Sequence, residues 1–104
     1  MYLDLIKALM GPWKLNRELE GVYALECCAA AAAQLYIAGD PWSPHGLARA
    51  YAAVTGRNHE TVWKNMVYAL RRAGLPGPAE TIRFLAVTVD RVEALMMTYQ
   101  WGKR

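Results

Sequence analysis

The residues best suited to chemistry lie between Arg57 and Arg72. Thr61, Lys64, Asn65 and Tyr68 recur at steps of three and four, so a helix through them sets all four on one side. Hydroxyl, ammonium, amide and phenol groups in that pattern suit hydrogen bonding to the edges of base pairs. Lys64 can donate to guanine acceptors, Thr61 and Asn65 can read either groove edge, and Tyr68 can stack on a sugar or touch a thymine methyl. Arg57, Arg71 and Arg72 flank them and suit phosphates, which set affinity and register but carry no sequence information. A solvated charged helix face is the plainer account of the same charges.

Other chemistries find no constellation. His45 and His59 stand near expected helix starts, where a capping or solvated histidine is ordinary. Neither has a second ligand at metal-binding spacing, and there is no nucleophile–base pair or Gly-rich phosphate loop. Cys27 and Cys28 are neighbours. They point about 100° apart on a helix, make a poor disulfide, and read as reduced core residues of a cytoplasmic protein. Glu26, on an apolar helix, reads as a buried acid paired with an arginine. No catalytic residue, metal or cofactor is expected.

Charge concentrates where the candidate face lies. Residues 44–75 hold five bases against one acid, a net of +4, while the rest of the chain holds seven bases and eight acids. A hydrophobic fraction of 55% in 104 residues excludes disorder and allows one compact domain. Asp4 interrupts the first apolar run and Gly11-Pro12 ends it, so no signal peptide is expected. Val22 to Ala38 is short for a membrane span and carries Glu26 and Gln34. It reads as a buried central helix.

The elements that position the face are helical throughout. Strand-like alternation is absent, whereas helix punctuation is frequent. A first helix is expected over about Tyr2 to Met10. A second, capped by Asn16, runs to about Ala38 with Gly39 closing it. Its Ala29–Ala33 run lets neighbouring helices approach closely. Ser43-Pro44 opens a third helix that ends at Gly56, and Asn58 caps a fourth that ends at Gly74. Leu75-Pro-Gly-Pro78 is a stiff connector. Ile82, Leu85, Ala86, Val89, Val92, Leu95, Met96 and Tyr99 then form one apolar stripe, on one helix or on two divided near Thr88–Asp90. Trp101 onwards reads as a frayed tail.

Residues 44–74 carry the pattern of a helix-turn-helix. Ala52 is small enough for the helix crossing, Gly56 suits the tight turn, and Val62 anchors the second helix on the first. Leu47, Tyr51, Val54, Met66, Ala69, Leu70 and Ala73 complete the expected inward faces. Trp63 lies at their boundary. An ordinary helical hairpin with a Gly turn can show the same pattern.

The order of these motifs resembles the C-terminal DNA-binding domain of the stage-zero sporulation response regulators. Leu19-Glu-Gly-Val-Tyr-Ala-Leu25 is similar to that family's Leu-Lys-Gly-Tyr-x-Tyr-Leu at the start of its long helix. Leu47 to Gly56 resembles its first motif helix, and Asn58 to Ala73 its recognition helix, with Val62, Lys64, Ala69 and Leu70 matching in kind. Thr81 to Ala86 is similar to its final helix, so the likeness spans about residues 15–95. The resemblance implies an all-α bundle of five to six helices, winged-helix-like but without a clear wing, binding double-stranded DNA as a homodimer and regulating transcription without a membrane. Two departures stand out. The family's Glu-Arg-x-x-Arg-His reading face falls here on Trp63, Lys64, Val67 and Tyr68, which implies a different DNA sequence. No receiver sequence precedes the motif in these 104 residues; if they are the whole protein, phosphorylation control of the family's kind is not expected. Trp63 and Val67 also support an alternative, a protein-interaction module that keeps the fold without DNA. It requires Trp63, Val67 and Tyr68 to form one exposed apolar patch.

Overall fold

A computed structural model describes residues 2–102, with side chains for residues 2–100. The described residues form an all-α bundle of five helices: α1 Leu3–Met10, α2 Glu20–Ala38, α3 Pro44–Thr55, α4 His59–Arg72 and α5 Pro78–Gly102. No strand occurs among the described residues. A 3-10 turn, Gly11–Trp13, follows α1 because Gly11-Pro12 breaks the ladder, and Lys14 closes it in the left-handed region at φ 56°.

The three junctions after α2 use the local chemistry that the sequence supplies. Gly39, Gly56 and Gly74 all adopt positive φ, which suits a residue without Cβ. Ser43 Oγ accepts from the Gly46 N–H at 3.0 Å. Asn58 Oδ1 accepts from the N–H groups of Glu60 at 2.9 Å and Thr61 at 3.2 Å. These bonds satisfy donors that a helix start otherwise leaves open. Asn58→Ala therefore lowers stability by about 1 kcal/mol, read as a lower urea midpoint at unchanged slope.

α2 is the hub, packed against each of the other four helices. Ala24, Ala29, Ala32 and Ala33 are fully buried on it, so its neighbours approach close to its backbone. It is long and apolar enough by composition to cross a membrane, but half of that window is buried inside the bundle, which accounts for its apolarity. Its start departs from expectation. Asn16 does not cap α2; its side chain accepts from the Glu18 N–H in a preceding turn, and the helix begins at Glu20 behind Leu19. The delay lets Arg17 turn back onto Glu26, as below.

Two burial expectations are corrected. Val54 is not inward but 87% exposed, because α3 presents Ala48 and Ala52 to the core and Val54 falls away from that line. Cys28 is buried, but Cys27, one residue round α2, is only half-buried. The apolar stripe of α5 is continuous and unbroken at Thr88–Asp90, yet only its first half is core. Ile82, Leu85, Ala86 and Val89 are buried, whereas Leu95, Met96, Met97 and Tyr99 are each more than half exposed. The helix outruns the bundle: at 1.5 Å per residue it is roughly 37 Å long. It remains helical through Gly102, so no frayed tail begins at Trp101; Lys103 and Arg104 lie outside the described residues.

Candidate nucleic-acid interface

α4 is held on its inner side and open on its outer one. Val62, Met66, Ala69 and Leu70 are buried against the core. Gly56 turns the chain from α3 into the Asn58 cap, and Ala52 is buried near the end of α3. On the other flank α2 approaches so closely that a Cβ built on Gly21 would stand 2.1 Å from the Asn65 carbonyl oxygen. The outward direction of α4 is thus fixed by backbone contact as well as by side-chain packing.

Thr61, Lys64, Tyr68, Arg71 and Arg72 are all exposed on that outer side. At 100° per residue, Lys64 and Arg71 lie nearly in line along the centre, with Thr61, Tyr68 and Arg72 to one side. Arg72 Nη1 donates to the Tyr68 hydroxyl at 2.8 Å, and its guanidinium carbon stands 5.6 Å from the Tyr68 ring centroid. The pair holds the phenol, whereas among the described residues Lys64 and Arg71 make no side-chain hydrogen bond or ion pair.

Two predicted residues are placed differently. Asn65 is half-buried at the edge of the face, beside the Gly21 contact. Arg57 lies in the turn, paired with Glu20 of α2 through Nη1–Oε2 at 2.7 Å and Nη2–Oε1 at 2.6 Å. Both groups are partly exposed, so water screens the pair.

One arrangement escaped the sequence. His45, in the first turn of α3, stacks on Trp63 of α4 with ring centroids 3.8 Å apart and planes at 21°. The two rings, with His59, Glu60 and Lys64, line a shallow cleft of 230 Å³ beside the face. Nothing local to either residue signals a contact between separate helices. Trp63 is consequently packed, and Val67 beside it is half-buried. By helical angle Lys64 and Arg71 fall between that pair and Tyr68.

The remaining reactive groups are muted. Burial pushes the Cys28 thiol up to about 12, with Cys27 adding to the shift, and burial likewise raises Cys27. Neither is a ready thiolate near neutral pH. Tyr51 is also raised, mainly by burial. Among the described residues no group of three or more His, Cys, Asp or Glu side chains is arranged to hold a metal ion. No protein-family model, curated protein or solved structure matches the chain.

Proposed function

We propose that this protein is a sequence-specific, DNA-binding regulator of transcription, acting as a cytoplasmic homodimer, in which α3 and α4 work as a helix-turn-helix. The observation that carries this is the outer side of α4. Thr61, Lys64, Tyr68, Arg71 and Arg72 stand exposed together on a helix whose opposite side is locked into the core. Recognition helices read base edges with residues near their N-terminal end, and here those are Thr61 and Lys64, with Asn65 at the edge. Arg71 and Arg72 farther along, and Arg57 once released from Glu20, take phosphates. The local excess of basic residues agrees with an electrostatic footprint on duplex DNA. The split between Trp63 and Tyr68 weighs against the interaction-module alternative. One such helix makes few contacts, so two copies on adjacent half-sites are expected.

The test is a fluorescence-anisotropy titration with labelled duplexes, first from a selected random library and then at two salt concentrations. The expected result is binding that weakens steeply as salt rises. Absence of salt-dependent binding at low ionic strength would overturn the proposal. Within it, Lys64→Ala loses about 1–3 kcal/mol on the selected site and less on unrelated duplex, whereas Arg71→Ala weakens both alike. Equal losses for Lys64→Ala would make Lys64 a phosphate contact only.

A further inference from the structure

The 3-10 turn after α1, the α4–α5 connector and the first turns of α5 enclose a pocket of 480 Å³. That lies within the usual size of small-molecule sites, roughly 300–1,000 Å³. Trp13, Leu75, Pro76 and Phe84 supply its apolar wall, with Glu80 and Thr81 as its polar members. The Trp13 and Phe84 rings stand 6.3 Å apart with their planes at 39°, an open V. Phe84 is 59% exposed, whereas Ile82, Leu85 and Ala86 beside it on α5 are fully buried. The core therefore leaves much of that ring free to meet a ligand.

The polar members set the chemistry of what fits. The Thr81 hydroxyl donates to the Pro76 carbonyl at 3.3 Å, so toward a ligand it can only accept. Glu80 is exposed and, among the described residues, makes no side-chain hydrogen bond or ion pair, even with Arg83 three residues on. Lys14 and Arg83 adjoin Trp13 and Phe84 in sequence, but neither lines the pocket. The lining side chains thus offer two acceptors, one of them a carboxylate, against a single donor, the Trp13 indole N–H. Aromatic faces attract cations as well. We propose that this pocket binds a protonated amine on an apolar, ring-sized body, the ammonium donating to Glu80 and the body lying against Trp13 and Phe84. The open N–H groups in the first turn of α5 favour the opposite charge, but an anion there would face the Glu80 carboxylate. The pocket shares no residue with the outer side of α4, so it stands independently of the DNA reading.

The test titrates the full ¹⁵N-labelled chain with three probes of one shape: 2-phenylethylammonium, 2-phenylethanol and phenylacetate. The expected result is saturable amide shifts with the ammonium at about 10 mM or below, largest at Trp13, Leu75, Glu80, Thr81 and Phe84. The alcohol binds about fivefold more weakly, the effect of one exposed charge pair, and phenylacetate more weakly still. Glu80→Gln removes most of the preference for the ammonium over the alcohol, whereas Phe84→Ala weakens both. Each of these positions is exposed, so the helical circular-dichroism signal is unchanged in either variant. Alcohol or phenylacetate binding to the wild type as tightly as the ammonium overturns the proposal, and that comparison requires no variant to fold. Shifts centred elsewhere, or no saturable shift with the ammonium, also overturn it. So does a preference that Glu80→Gln leaves intact, or an affinity that Phe84→Ala leaves unchanged.

Discussion

Gly21→Ala is expected to lower stability by about 3 kcal/mol or more, read from urea denaturation, and to disturb α4 before any other helix. In an exposed helix interior the same change is favourable by about 1 kcal/mol, because alanine has the higher helix propensity. Here the sign reverses. The new Cβ would meet the Asn65 carbonyl oxygen at 2.1 Å, its carbon at 2.4 Å and the Met66 nitrogen at 2.8 Å. All three are backbone atoms, so no side chain can swing aside. Either α2 and α4 move apart and lose contact along the buried rows that include Val22, Leu25, Met66 and Leu70, or α4 unwinds locally. Both outcomes displace the helix that carries Lys64. A variant as stable as the wild type would show that the α2–α4 approach is looser than described.

Arg17→Met is expected to cost about 2–3 kcal/mol. Glu26 is 3% exposed on the hub helix, and Arg17 Nη1 donates to its Oε2 at 2.5 Å. Arg17 also donates to the Lys7 carbonyl at 3.2 Å, so it ties α1 to α2 through the loop between them. Removing it leaves a buried carboxylate without its counter-charge. The usual cost is about 3–5 kcal/mol, discounted here because Arg17 itself is half exposed and water can take its place. The double variant Arg17→Met with Glu26→Leu recovers most of the loss, since no charge then remains buried. Additive losses in this cycle would show that the two residues contribute independently.

Much of this fold was legible because its joints are chemically explicit. Ser43, Gly56, Asn58 and Gly74 each occupy the cap or turn that their side chains or φ preferences favour. The 3.6-residue period put Val62, Met66, Ala69 and Leu70 inward, and the same arithmetic put Thr61, Lys64 and Arg71 outward. The anticipated Arg partner of Glu26 is present as Arg17. What escaped depends on the meeting of distant segments. Asn16 has the chemistry of a cap, but the geometry that pairs Arg17 with Glu26 starts α2 later. Val54 is apolar and near the turn, yet only a three-dimensional arrangement decides which side of α3 meets the core. Gly21 carries no local sign that a second backbone lies against it, nor His45 that Trp63 does. The α5 stripe was visible at full length, but periodicity cannot say where a bundle stops covering it.

The central claim is that the outer side of α4 meets DNA. Amide chemical-shift mapping of the ¹⁵N-labelled protein during titration with a selected duplex tests it most directly. The predicted result is that the largest shifts cluster from Asn58 to Arg72 and at the start of α3, with α1 and the first half of α5 little changed. Shifts centred on another surface, or none while the duplex is in excess at low salt, would contradict it.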